Sequence, residues 1–295
     1  MNSGRFSVIQ KYIMTEGREL EKAMWRLQFA EGSEEDFLTE LARYQNDDGG
    51  FGKGLEPDIR CELSSAIAST VALQLLSQYK VSSEHTMVKK VIRYLLDTFN
   101  KEKMGWDIVP QEVEWYPRAP WWNYREQQEA WGNPNAEILG FLYEFSELVP
   151  PSLIDSLTDH ALTYLQSLEQ FEFHEFLCFH RLIERVPVEV AEKMEKKFIE
   201  MMNSCVTIDR EKWSDYCLQP IDFVQSPASA FYDQFVDVWR ENLQFRLHLQ
   251  EENGSWTPMW TWGNQYEKVW EVAKKDWTSV LTLKNALLLK ENNPL

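Results

Sequence analysis

The sequence is poor in features that define several classes of protein. Its four cysteines, Cys61, Cys178, Cys205 and Cys217, are scattered and form no Cys-x-x-Cys pair. That argues against a disulfide scaffold or a zinc knuckle and fits a reducing, cytoplasmic setting. No run approaches the roughly 18 apolar residues of a membrane-spanning helix. The opening Met1-Asn2-Ser3-Gly4-Arg5-Phe6 lacks the basic flank and apolar stretch of a secretory leader. Basic residues are outnumbered 30 to 47, a net charge of −17, which argues against binding nucleic acid by neutralising phosphates and against adhesion to anionic lipid. There is no Walker or dinucleotide-type glycine loop and no Gly-x-Ser-x-Gly nucleophile elbow. No Ser/Gly/Pro-rich or single-charge tract divides the 295 residues, so one domain over 1–295 is expected, with residues 1–30 a helical extension packed on it.

What the sequence has in quantity is aromatic surface: 13 Trp, 11 Tyr and 16 Phe. So many large rings fill a core or line a cavity, since exposing them would leave adhesive apolar patches. A phrase also recurs: an apolar helix end, Gln or Asn, then a polar turn with Gly closed by an aromatic. It reads Leu41-Ala42-Arg43-Tyr44-Gln45-Asn46-Asp47-Asp48-Gly49-Gly50-Phe51-Gly52, again as Gln250-Glu251-Glu252-Asn253-Gly254-Ser255-Trp256, and more weakly as Asn100 through Gly105-Trp106. Glycine permits the left-handed backbone that stops a helix, the aromatic folds back on the last turn, and the Gln amide can cap neighbouring backbone groups.

Between these stops the helices are of two kinds. Residues 83–99 and 188–202 set charges opposite an apolar face, whereas 64–79 has no charged residue and 278–289 only Lys284. The first kind has a solvated face and the second is expected to be buried on all sides. They alternate: outer 34–44 before inner 64–79, outer 83–99 before inner 135–148, outer 153–168 before 174–185, outer 230–249 before inner 278–289. An outer–inner alternation is what a closed double ring requires, although an open solenoid would show a similar one.

The repeat at Gln45–Gly52 and at Gln250–Trp256 resembles the Gln–Trp repeats of squalene cyclases and the related repeats of protein prenyltransferase β subunits, a rhythm extending over roughly residues 30–290. The resemblance implies an all-α protein, an α/α toroid of five to six outer/inner helical hairpins around a central cavity. It also implies a small-molecule ligand of apolar, isoprenoid-like character in that cavity. The family's Asp-x-Asp-Asp and Asp-Asp-x-x-Asp motifs are absent; Asp47-Asp48 lies in the repeat turn and position 51 is Phe.

In such a ring, residues just before inner helices converge on one mouth. On that geometry Glu56 and Asp58 are candidate general acids or bases, with His174, Glu175 and Asp215 as further candidates. Trp121, Trp122, Asn133, Asn135, Tyr216, Trp260 and Trp262 are candidates for binding substrate, Asn135 also reading as a helix N-cap. The period-two tryptophans Trp256, Trp260 and Trp262 describe an extended segment with one aromatic face. His174 and His180 share no helical face, so they make a poor local metal pair. No metal or cofactor is assigned; Asp215-Tyr216-Cys217 with the later His248 has the local form of the prenyltransferase zinc ligands. Three readings stay open: an enzyme of the prenyltransferase and terpenoid-cyclase type, a carbohydrate-active (α/α)-barrel hydrolase or lyase, and a non-catalytic ligand-binding toroid.

Overall fold

The computed structural model describes residues 3–126 and 130–292; the outermost residues of the expected 1–295 span, with Met1 and Asn2 of the opening segment, lie outside them. The described residues form eleven α-helices and no β-strand, only isolated β-bridges. None of these helices is long and apolar enough to cross a membrane. They divide into two compact units: Tyr44–Cys205, and the described residues up to Arg43 together with those from Val206 onward.

In the continuous unit the helices are α4 (Ala66–Gln78), α5 (Thr86–Thr98), α6 (Gly132–Glu144), α7 (Pro151–Ser167), α8 (Phe173–Ile183) and α9 (Val188–Cys205). Helices α4, α6 and α8 pack in succession, with α5 on α4, α7 on α6, and α9 on α7 and α8. The composition of each helix explains its place. Met87, Val88, Val91, Ile92 and Leu95 of α5 are buried while Lys89, Lys90 and Arg93 are exposed. Each such buried aliphatic chain contributes about 1.5–3 kcal/mol, which sets the face that α5 turns inward. Helix α6 has no such exposed face, being buried from Pro134 to Leu142. It lies close to α8 because Gly140 has no side chain: a Cβ there would stand 3.1 Å from the Arg181 carbonyl oxygen.

The other unit contains α1 (Ser3–Glu16), α2 (Glu19–Phe29), α3 (Glu34–Ala42), α10 (Tyr232–His248) and α11 (Glu267–Asn292). Residues 1–30 thus hold, among the described ones, two helices: α1 packs on α2 and α11, and α2 on α3 and α11. A capping box between Ser33 and Asp36 starts α3.

Two expectations are corrected. Helix α11 begins at Glu267, well before residue 278; its first turns carry Glu271, Lys274 and Lys275, whose charge hid their helical continuity with the apolar second half. The charge-poor helices are not buried on all sides either. Ile67, Val71 and Gln74 form a half-buried stripe on α4, and Val280, Lys284 and Leu287 a half-buried to exposed one on α11. Lack of charge set the composition of these faces without closing them.

The repeat turns share a detailed hydrogen-bond scheme. Gln45 Nε2 donates to the Gly49 carbonyl at 2.9 Å, and Gln250 Nε2 to that of Gly254 at 3.0 Å. Gly49 and Gly254 take φ of +91° and +92°, values L-residues rarely adopt. Asp48 and Asn253 each accept the backbone N–H two residues on, both at 3.0 Å. The closing aromatic is then tied to a neighbouring helix: Phe51 N–H donates to Ser69 Oγ of α4 (3.1 Å), Trp256 N–H to Thr282 Oγ1 of α11 (3.0 Å), and in the weaker copy Trp106 N–H to Asn135 Oδ1 of α6 (2.9 Å). The indoles of Trp106 and Trp256 reach back to Leu95 and Arg246 carbonyls at 2.7 and 2.8 Å. One local sequence thereby ends one helix and docks another.

Candidate functional site

After the first repeat turn the chain doubles back through Glu56–Arg60. Ile59 N–H bonds the Glu56 carbonyl at 3.1 Å, and residues 58–60 run beside 117–119, with Ala119 N–H on the Asp58 carbonyl (2.9 Å) and Arg60 N–H on that of Pro117 (3.0 Å). That second segment is held by buried Arg118, whose guanidinium donates to the Val113 and Tyr116 carbonyls, each at 3.1 Å, to Asn123 Oδ1 at 2.8 Å and to Glu114. Beneath lies an apolar cluster of Ile59, Cys61, Val109 and Val113, with Tyr116, Trp122 and Tyr124 packed against it.

Into this setting the chain places two acids. Glu56 is 7 % exposed and Asp58 2 %. Burial pushes the Glu56 pKa well above the usual carboxylate value, and the Asp58 charge adds to the rise; the Asp58 backbone N–H, the Trp122 indole and Arg60 pull the other way. Glu56 Oε2 and Trp122 Nε1 are both buried and close enough to interact, but the contact falls outside ordinary hydrogen-bond geometry. A buried carboxyl of this kind favours its neutral, proton-bearing form.

A second polar group, not found in the sequence, lies across α4, α6 and α8. Glu137 is 2 % exposed; Gln74 Nε2 donates to its Oε1 at 2.7 Å and Arg181 to its Oε2 at 3.1 Å. Cys178 Sγ lies 3.9 Å from the same carboxylate and 3.8 Å from Asn133 Oδ1. Further along, Glu144 accepts from Ser77 Oγ (2.8 Å) and Arg185 Nε (2.7 Å). Burial raises the Glu137 pKa despite the opposing charge of Arg181, and lifts the Cys178 thiol far above its ordinary value. A buried ion pair is expensive to desolvate, so each partner depends on the other. The available signal was a glutamate in the otherwise uncharged stretch Pro134–Tyr143, together with Arg181 in α8 and Arg185 just beyond it.

Glu175, on α8, is also buried; its Oε1 accepts Gly132 N–H (2.8 Å) and the Tyr164 hydroxyl (2.7 Å), and burial raises its pKa. His174 is exposed, its Nδ1 2.6 Å from Glu172, the residue that caps α8. His180 is buried beside the stacked Phe176 and Phe198, with its pKa lowered by that burial. Asn135 sits inside α6 rather than at its N-cap, which is Trp131, because its amide is used tertiarily: Oδ1 accepts Trp106 N–H and Nδ2 donates to the Trp131 carbonyl at 2.8 Å. Asn133 is half-buried beside Cys178. Trp121, 44 % exposed, is in the same loop as Trp122.

The remaining candidates belong to the other unit. Tyr216 and Trp260 meet edge to face at 5.9 Å, and Trp260 packs on Trp277 at 5.1 Å, whereas Trp262 is buried against Trp270 at 5.7 Å. Alternate tryptophans therefore join separate contacts rather than one aromatic face. Asp215 is exposed, the Cys217 thiol donates to the Lys212 carbonyl at 3.3 Å, and His248 Nδ1 lies 2.7 Å from the Gln244 carbonyl. No three His, Cys, Asp or Glu among the described residues come together as a metal site, so Asp215, Cys217 and His248 form no ligand set.

Of the candidates in the continuous unit, Glu56, Asp58 and Trp122 come together, and Asn133 joins the unforeseen Glu137 group. Comparison of the chain with known protein families, with curated proteins and with solved structures gives no match.

Proposed function

We propose that the chain is a terpenoid-cyclase and prenyltransferase-like protein whose helical hairpins close into an α/α toroid of five to six pairs. In this reading the central cavity is lined by aromatics and holds an apolar, isoprenoid-like small molecule. The observation that carries it is Glu56: a buried carboxyl held toward its neutral form, beside the Trp122 indole and an apolar-aromatic cluster. A neutral acid next to aromatic faces suits proton donation to an alkene, because the rings stabilise the carbocation that follows. The repeat scheme at Gln45 and Gln250 supports the fold side of the reading.

The test is to incubate the purified protein with squalene and with prenyl diphosphates, and to extract it for co-purified lipid. Turnover abolished in Glu56→Gln, or retained lipid, is the expected result. A protein that shows no turnover and retains no lipid would refute the proposal.

One observation favours a second reading, a carbohydrate-active hydrolase or lyase. Trp115 and Trp121, 78 % and 44 % exposed, stand on the segment bonded to the Glu56–Asp58 loop, where exposed rings could stack on sugars beside a carboxylate pair. Release of reducing ends from oligosaccharides, lost in Trp121→Ala and in Glu56→Gln, would select it.

A further inference from the structure

Helices α4, α6 and α8 are joined by two rungs of the same make-up: a polar residue of α4, a glutamate of α6, and an arginine of α8 or just beyond it. The second rung is closed. Arg185 donates from Nε to Glu144 at 2.7 Å, from Nη1 to the Arg181 carbonyl at 2.8 Å and from Nη2 to Ser77 Oγ at 3.1 Å. The first rung is open. Arg181 donates only from Nη1, to Glu137 at 3.1 Å; its Nε and Nη2 have no hydrogen-bond partner among the described residues. Both stay within reach of solvent, and the side chain is 31 % exposed. The free Nε–Nη2 edge is a planar pair of donors, held in place by a buried carboxylate on the remaining nitrogen.

Apolar surface adjoins that edge. Half-buried Leu177 stands one turn before Arg181 on α8, and half-buried Ile67 and Val71 share the face of Gln74 on α4. Ile67 also packs against the cluster beneath the Glu56–Asp58 loop. From Ile67 to Gln74 is about 10 Å of helix, so an apolar stripe of that length leads from the Glu56 end to the open rung.

Charge decides what can meet the open edge. Each rung is already balanced, Arg181 with Glu137 and Arg185 with Glu144, and α4, α6 and α8 carry no other lysine or arginine. A diphosphate would find no uncommitted cation on these helices. A pure hydrocarbon would strip water from the free N–H donors and replace it with nothing. An uncharged oxygen that only accepts satisfies the donors and keeps the balance.

Resting on the reading of an apolar ligand given above, we propose that this ligand is an uncharged isoprenoid-like molecule with a carbonyl oxygen, which Arg181 holds through Nε and Nη2. The test is equilibrium dialysis of the full chain against tritiated farnesylacetone, a ketone, against the hydrocarbon of the same skeleton, and against farnesyl diphosphate. The ketone should bind saturably, about tenfold or more tighter than the hydrocarbon, and tighter than the diphosphate. Arg181→Lys keeps a charge opposite Glu137 but lacks the fork, and should erase the preference for the ketone; Arg185→Lys, in the closed rung, should keep it. Should Arg181→Lys fail to fold, Glu137→Met combined with Arg181→Met leaves no charge unpaired and serves the same comparison. Equal binding of ketone and hydrocarbon, tighter binding of the diphosphate, or a preference that survives loss of the Arg181 guanidinium would each overturn this proposal while leaving the apolar-ligand reading in place. Absence of binding by all three compounds would overturn both.

Discussion

Replacing Gly254 by alanine tests whether the repeat turn is fixed by two separate constraints. The first is backbone: at φ +92° an L-residue is strained by about 1–3 kcal/mol. The second is space: a Cβ would lie 2.7, 2.8 and 2.9 Å from the Val8 carbonyl carbon, its oxygen and the Ile9 nitrogen. Those are backbone atoms of α1 and cannot swing aside as a side chain tip would. Moving them should add about 1–3 kcal/mol, the usual range for overpacking. Gly263 isolates the first constraint, because its φ is +64° and a Cβ added there would meet nothing within 4 Å. Gly263→Ala should therefore lose only about 1–3 kcal/mol, and Gly254→Ala, which adds the second constraint, about 2–6 kcal/mol. Urea unfolding followed by tryptophan fluorescence measures both, with the slope checked for constancy. Should the two variants fall within about 0.5 kcal/mol of each other, the close approach of α1 to the turn is refuted.

Thr282→Val removes the acceptor of the buried Trp256 N–H while keeping its shape, and should lose about 1–3 kcal/mol in the same urea assay. Asn135→Leu strands both Trp106 N–H and the Trp131 carbonyl, so it should lose more than Thr282→Val. Glu56 gives a pH test. Its native pKa lies above the unfolded value near 4.5, so the native state binds the extra proton. Stability should therefore fall as pH rises from the unfolded pKa toward the native one, by up to about 1.4 kcal/mol per pH unit. Glu56→Gln should lose that decline, which urea midpoints measured from about pH 4 to 8 would show.

The sequence and the structure agree where a pattern is local. Amphipathic helices such as α5 and α9 were legible because burial follows helical periodicity, and the stops at Gly49 and Gly254 because a left-handed residue needs glycine. The burial of Glu56 and Asp58 was not readable, since it depends on a segment some sixty residues later folding over them. Glu137 and Arg181 escaped notice for the same reason: 44 residues apart, each resembles a lone surface charge until α6 and α8 are laid together. Asn135 looked like a cap because its type suits one, yet its partner Trp106 lies 29 residues back. The start of α11 was lost to its own lysines and glutamates.

The order of the two units along the chain bears on synthesis. Tyr44–Cys205 emerges as one uninterrupted piece and can begin to fold as soon as α9 is released. Helices α1 and α2 have no such freedom, since they pack against α11. Lys290 and its hydrogen-bond partner Gln28 are 262 residues apart, a delay of about 13–50 s at ~5–20 residues per second. Throughout that interval α1 and α2 lack the packing that α11 supplies, so whatever apolar surface they turn toward it stays uncovered until the last helix is made.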